Sequence, residues 1–350
     1  MSSPIKTVSV VGPTASGKSA LGVSIAQELN GEVVNVDSVQ VYRGLDIGSA
    51  KVPESERGGI AHHALDIRDP NDLMNVGTFR EYAMGVLAEM KDREKLPVLV
   101  GGSSMYLTIL LHGIAELPET PKDIREAVAS MSREEQHAEL TRIDPVTADR
   151  LHVNDTQRVS RALEIFRITG RAPSAIFEEH KFSSQEVVSL IVVLCRERED
   201  LYRRINERSA QMVREGLVAE TEQIIARYGE LPILDTLGYK QAREVIQGRL
   251  APEKLVEEIA LHTRRFAKRQ MTYLRNEPGK RGWVVRPTAD EEACEIVGFD
   301  SGSPRAREKV KGFRAYSFSR DELISRIKLR MTEPLQATEV WYVYLKVGVV

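Results

Sequence analysis

Apolar residues along this chain follow two rhythms. Unbroken apolar runs end at Val8-Ser9-Val10-Val11, Val33-Val34-Asn35-Val36, Val98-Leu99-Val100 and Val187 to Leu194. Runs without polar alternation predict strands covered on both faces, at residues 6–11, 32–36, 97–100 and 187–195. Between them the apolar positions recur every three or four residues. Phe79, Tyr82, Ala83, Val86, Leu87 and Met90 predict a helix over 78–91. Further helices are expected over 18–29 and 104–111, and a short apolar patch over 61–67. Strands alternating with helices imply a parallel sheet that binds ligands at the carboxyl ends of its strands.

The texture changes near Pro118. Residues 121–180 are rich in Glu, Arg and Ala with helical periodicity and no strand signal. They predict helices over 123–131, 133–143, 145–150 and 156–169, the last capped by Asn154-Asp155 and stopped by Gly170. After the strand at 187–195 come helices over 198–214, 217–228 and 252–276. Beyond about 290 the pattern is least regular, with a charged run at 305–309, a helix over 320–331 and an aromatic, strand-like stretch at 340–345. The expected architecture is an α/β fold: a P-loop NTPase-like parallel sheet flanked by helices, with an α-helical insertion domain. The core spans 1–117 and 187–294, the insertion 118–186, and the extension 295–350.

Composition adds exclusions. With 350 residues, 42% hydrophobic and 29% charged, the chain can bury a large core, and its net charge of −2 excludes a uniformly basic nucleic-acid binder. Cys195 and Cys294 have no metal-site spacing, and Cys195 sits in a strand as a small core residue. No segment approaches the roughly 20 apolar residues of a membrane span. The N-terminal residues carry no signal-peptide-type run, so the expected compartment is the cytoplasm, with no membrane partner.

The chemistry starts at Gly12-Pro13-Thr14-Ala15-Ser16-Gly17-Lys18-Ser19, a complete G-x-x-x-x-G-K-[ST] phosphate loop between a strand and a helix. Its backbone N–H groups and the helix N-terminus suit a polyphosphate, Lys18 neutralises charge, and Ser19 can hold Mg2+. Asp37 ends the second strand on the same rim, as a water-mediated magnesium ligand, a general base or a turn cap. Gly101-Gly102-Ser103-Ser104 ends another strand there. No Asp follows Val98-Leu99-Val100, which argues against nucleoside triphosphate hydrolysis. Arg158 and Arg161 share a helix face, either as ligand contacts or as a salt-bridged solvated surface. Residues 262–275 form the densest basic stretch, fit for a polyanion or for a solvated helix. Adjacent His62 and His63 point apart, match no standard metal site and suit a structural role.

Taken in order, these motifs resemble the tRNA dimethylallyltransferase family. The resemblance runs over residues 5 to 285 and includes the phosphate loop, Val36-Asp37-Ser38, Asp46-Ile47-Gly48-Ser49-Ala50-Lys51, His62-His63-Ala64-Leu65-Asp66 and Gly101-Gly102-Ser103. It continues through Asp155-Thr156-Gln157-Arg158-Val159-Ser160-Arg161, Leu237-Gly238-Tyr239-Lys240 and Ala267-Lys268-Arg269-Gln270. It implies transfer of a five-carbon group from dimethylallyl diphosphate to N6 of the adenosine 3′ to the anticodon, in tRNAs reading codons that begin with U. Asp37 would then be the base, and Ser19 the Mg2+ ligand. Ser103 stands where the family has Thr. Arg204 and Arg208 would touch the diphosphate. The tRNA anticodon stem-loop would meet Asp37, Ser38, Val39, Gln40, Ser103, Arg125, Gln157 to Arg161, and Asp235, Thr236, Leu237, Gly238, Tyr239 and Lys240. A monomer is expected. The alternatives are an adenylate dimethylallyltransferase acting on free nucleotides and a P-loop kinase of a small metabolite.

Overall fold

The computed structural model describes residues 3–180, 186–281, 284–285, 293–295, 314–335 and 337–345. The described strands are β1 Ile5–Val11, β2 Gly31–Asn35, β3 His62–His63, β4 Leu96–Val100, β5 Val187–Cys195, β6 Val284–Val285, β7 Ala293–Glu295, β8 Arg314–Phe318 and β9 Glu339–Leu345. They form one sheet in the order β3-β2-β4-β1-β5-β9-β8-β7, with β6 also paired to β9. Every described pairing is parallel except β7 with β8.

The unbroken apolar runs are explained by the two cores that this sheet separates. Alternate residues of one strand enter opposite cores. Val8, Val10, Val98, Val100, Leu190 and Val192 lie in one; Val34, Val36, Leu99, Ile191 and Val193 lie in the other. Helix α1 (Lys18–Glu28) covers the first core through Leu21 and Ile25. Helices α2 (Val76–Asp92), α3 (Ser104–His112) and α12 (Leu255–Arg281) supply the second, with Phe79 stacked on Tyr106 at 4.0 Å between ring centroids. Asn75 starts α2 with a capping box, accepting from the amides of Gly77 and Thr78.

The chain divides into two compact units, Met1–Leu111 with Gln185–Val350, and His112–Ser184. The second is helical: α4 Lys122–Ala129, α5 Arg133–Ile143, α6 Pro145–Arg150, α7 Thr156–Thr169 and α8 Pro173–His180. Its own core holds Val128, Leu140, Ala148, Val159 and Leu163. Buried Asp144 anchors α6 and α8 by accepting from the amide and hydroxyl of both Thr147 and Ser174. Gly170 ends α7 at φ 68°, as expected, but Asp155 makes no side-chain cap and pairs with Arg158 instead.

The first unit also contains α9 Arg198–Glu215, α10 Leu217–Tyr228, α11 Tyr239–Ile246 and α13 Arg320–Thr332. The tail corrects an expectation. Its described residues, 314–335 and 337–345, are not a separate extension, because β9 lies beside β5 from Leu190↔Glu339 to Cys195↔Tyr344. Trp341 and Val343 enter the first core with Leu323, Ile324 and Ile327 of α13, while Val340 and Tyr342 enter the second. Trp283 and Cys294 carry side chains outside the described set. No helix among the described residues is long and apolar enough to cross a membrane.

Candidate active site

The site is built where β1, β2 and β4 end. At the exit of β1, Gly12 has φ 150°, and a Cβ there would sit 2.7 Å from the Leu194 carbonyl oxygen. Gly17 takes φ 98° and starts α1. The loop between them has its carbonyl oxygens tied by cations: Lys18 Nζ donates to Pro13 at 2.8 Å, Arg204 Nε to Ala15 at 2.9 Å, and Arg196 Nε to Ser16 at 2.7 Å. The Thr14 amide donates to Gln270 and the Ser16 amide to the Pro13 carbonyl, so the amides of Ala15 and Gly17 and the α1 N-terminus are left as donors for an anion. The Ser16 hydroxyl is buried and has no hydrogen-bond partner among the described residues.

Lys18, Thr14 and Ser19 face a cavity that also contains Asp37, Arg208, Asn35, Gln40, His62, Gly101, Gly102, Phe266 and Gln270. Burial, with Arg208 adding like-charge repulsion against the attraction of Asp37, pushes the Lys18 ammonium down to about 7. Burial likewise lowers Arg208, though a guanidinium keeps its charge, and no ion pair neutralises it among the described residues. Such a pair of underneutralised cations beside free amides is a site for a multiply charged anion.

Asp37 lines the same cavity. Its Oδ1 accepts from the amides of Val39 at 2.9 Å and Gln40 at 3.3 Å, so the turn-cap role is real. Oδ2 has no partner among the described residues and is available to a ligand. The carboxylate thus caps a turn with one oxygen and leaves the other for chemistry. His62 also borders the cavity, its Nδ1 bonded to the Ile60 carbonyl at 2.9 Å, and burial lowers its pKa. His63 turns the other way, to Glu32 at 2.7 Å.

Ser103 is placed differently. It lines a small apolar recess with Val11, Leu107 and Leu274, and the walls shared with the main cavity are Gly101, Gly102 and Gln270. Arg204 lines an open groove that meets the cavity at Lys18, Ser19 and Arg208. Ser38 is exposed, and Val39 packs partly against the core.

Two proposed RNA contacts are corrected. Val159 and Tyr239 are 1% and 0% exposed, so neither side chain can reach a ligand. Gly238 is buried beside Tyr239, whose hydroxyl donates to Glu220 at 2.7 Å. Arg125, Gln157, Arg158 and Lys240 are exposed. Arg161 is tied to Glu164 and Thr120, Ser160 to Gln136, and Asp235 to Arg243. Thr236 donates to the Ile233 carbonyl, and Leu237 packs against the core. The sequence reading missed Gln270, Asn35 and Phe266 as cavity residues. Gln270 carries a signal in hindsight: it interrupts the buried stripe Thr263, Ala267, Met271 and Leu274 of α12 with an amide.

The donor set also bears on a metal. No group of three His, Cys, Asp or Glu side chains suited to an ion exists among the described residues. Mg2+ is commonly held by one or two protein groups plus substrate phosphates and water. A Ser19 hydroxyl beside an anion cradle, with Asp37 lining the same cavity, fits that mode.

Comparison with known proteins shows the family. The family model described as IPP transferase matches residues 40–277. A tRNA dimethylallyltransferase 2 of Geotalea daltonii is 39% identical over 87% of this chain and 95% of its own length. A tRNA dimethylallyltransferase of Methylococcus capsulatus is 42% identical over 83% and 96%. Among solved structures, a eukaryotic dimethylallyltransferase acting on tRNA superposes with TM-score 0.69 at 29% identity, covering 77% of this chain and 69% of that one. The full-length tRNA isopentenylpyrophosphate transferase of Bacillus halodurans superposes with TM-score 0.57 at 36% identity, covering 78% and 87%. A phosphate loop facing a half-free carboxylate, and relatives matched along nearly their whole length, place this chain in the IPP transferase family, that of the tRNA dimethylallyltransferases.

Proposed function

We propose that this chain moves a dimethylallyl group from dimethylallyl diphosphate to N6 of the adenosine 3′ to the anticodon, in cytoplasmic tRNAs that read codons beginning with U. The observation that carries the chemistry is the shared cavity of Lys18, Ser19, Arg208 and the free Oδ2 of Asp37. A kinase would need to pass on a phosphoryl group. Here the anion cradle suits a leaving group instead, because β4 runs into glycines rather than a magnesium-binding carboxylate.

The reaction asks three things of the protein. Cleavage of the carbon–oxygen bond builds negative charge on the departing diphosphate. The loop amides, the α1 N-terminus, Arg208 and Lys18 stabilise it, with Lys18 binding in its charged form. Mg2+, held by Ser19 and the phosphates, would add charge neutralisation when bound. The adenine N6 is a weak nucleophile whose lone pair is delocalised into the ring, and it must lose a proton as the new carbon–nitrogen bond forms. Oδ2 of Asp37 accepts that proton, while Oδ1 stays fixed by the turn. A base inside a stacked helix cannot present N6 to this carboxylate, so a loop adenosine must be turned out into the cavity.

One incubation tests this. Purified protein, Mg2+ and radiolabelled dimethylallyl diphosphate are mixed with unmodified tRNA reading U-starting codons, and separately with AMP. The expected result is label in tRNA alone. Label in AMP alone would reassign the acceptor to free nucleotides, and label in neither, with folded protein, would overturn prenyl transfer.

A further inference from the structure

We propose that Gln270 is a positioning residue for the donor site, a bridge that holds the phosphate loop in its anion-binding shape; this deepens, and rests on, the transferase function above. Gln270 is 5% exposed in the middle of the buried face of α12. Its Oε1 accepts from the Thr14 amide at 2.9 Å, and its Nε2 donates to the Gly102 carbonyl at 3.0 Å. The partners fix which end is which. A backbone amide can only donate and a carbonyl can only accept, so the side-chain amide has one orientation that satisfies both.

The two partners lie on the two limbs of the cavity rim. Thr14 belongs to the phosphate loop after β1, and Gly102 follows β4. One side chain therefore cross-links the loop to the neighbouring strand end. Gly102 is shaped to the bridge, since a Cβ there would fall 2.5 Å from Gln270 Nε2. The Thr14 amide is removed from the pool of donors and the Ser16 amide is taken by the Pro13 carbonyl, which leaves the amides of Ala15 and Gly17 and the α1 N-terminus to meet the anion. With Gly101 and Gly102, Gln270 also forms the wall shared by the main cavity and the apolar recess that holds Ser103.

The energetic consequence is preorganisation. A glycine-containing loop that must order itself on binding loses affinity, and a loop already pinned does not. Gln270→Met keeps the side-chain volume and removes both hydrogen bonds. Without the bridge the Thr14 amide and Gly102 carbonyl are left unsatisfied in a partly buried place, which favours loop conformations that no longer fit a diphosphate.

The test measures binding of inorganic diphosphate with Mg2+ by calorimetry, in the wild type and Gln270→Met, beside prenyl transfer to tRNA. The expected result is a loss of roughly tenfold in diphosphate affinity, a matching rise in KM for the prenyl donor, and an unchanged KM for tRNA. A residue that only supported packing would lower the melting temperature and leave the affinity of the folded protein alone. Equal diphosphate affinity in folded Gln270→Met overturns the proposal. If that variant does not fold, exchange of the Thr14 amide in the wild type without ligand decides: protection supports the bridge, and exchange as fast as an open loop overturns it. Wild-type protein that binds diphosphate yet transfers nothing to tRNA would sink the prenyl-transfer function while leaving the bridge to be judged on affinity.

Discussion

Asp37 holds its carboxylate by Oδ1 alone, and that division separates its two roles. Asn at this position keeps an oxygen for the Val39 amide but replaces the proton-accepting oxygen by NH2. Asp37→Asn should lower kcat by roughly 10²–10⁴-fold while moving the melting temperature by no more than about 2 °C. Asp37→Ala should show the same kinetic loss plus about 1 kcal/mol of destabilisation from the lost turn bonds. Retained activity in the Asn variant, read by single-turnover transfer, would move the base elsewhere in the cavity. Lys18 makes a different prediction, in pH. Its ammonium titrates near 7 in the free protein, and a bound diphosphate favours the charged form. Bound pKa therefore exceeds free pKa, so binding takes up a proton above pH 7 and affinity falls as pH rises. Calorimetry in buffers of different ionisation heat at pH 8 should show more proton uptake for the wild type than for Lys18→Arg, whose guanidinium is always charged. The comparison cancels the ligand's own titration, and equal uptake would contradict a lowered Lys18.

At the scale of elements, a carboxylate on one helix shapes a loop on another part of the chain. Glu220 of α10 accepts from the amides of Asp46, Ile47 and Gly48 and from the Tyr239 hydroxyl of α11. Buried Lys51 closes the same loop with Asp46 and Asp66, at 2.5 and 2.6 Å. Gly48 has no room for a Cβ, which would fall 2.5 Å from the Tyr239 ring. Glu220→Ala leaves the part-buried amides of Ile47 and Gly48 and the buried Tyr239 phenol without an acceptor, while water replaces it at the exposed Asp46 amide, so it should cost about 2–4 kcal/mol. Tyr239→Phe removes one donor only and should cost about 1 kcal/mol. Urea unfolding separates the two, and equal costs would mean that the 46–48 turn does not depend on Glu220. These contacts also explain what the sequence could disclose. The phosphate loop and Asp37 are legible because a strand, a loop and a helix are contiguous in the chain. Tyr239 sits in an equally recognisable motif, yet its burial depends on Gly48, far earlier in the chain, and on Glu220 of a different helix. Gln270 reaches a partner 256 positions distant, and no local pattern reports that.

For the whole molecule, the sheet needs its C-terminal strand. β5 is buried along its full length, and β9 covers the edge that β1 does not. Val340, Trp341, Tyr342 and Val343 of β9, with Leu323, Ile324 and Ile327 of α13, are all nearly inaccessible. The Tyr342 hydroxyl donates to the Leu274 carbonyl at 2.8 Å, tying β9 to the helix that carries Gln270. The sequence marks this strand by its aromatic run, but charged residues precede it and its partner lies more than a hundred residues earlier, so it reads as an appendage. Burying one large apolar side chain contributes roughly 1.5–3 kcal/mol, and a domain is stable by about 5–15 kcal/mol. The seven side chains together therefore rival the whole margin. Their loss would also open an apolar edge on β5, a template for pairing with another chain. A chain ending at residue 313 should accordingly lose its cooperative thermal transition and elute as aggregate on gel filtration. Because β9 reaches the site through Leu274 and α12, any soluble fraction should bind inorganic diphosphate more weakly than the full chain. A monomer with a cooperative melt and full diphosphate affinity would mean that the first five strands of the order, β3 to β5, fold and hold the cradle without β9.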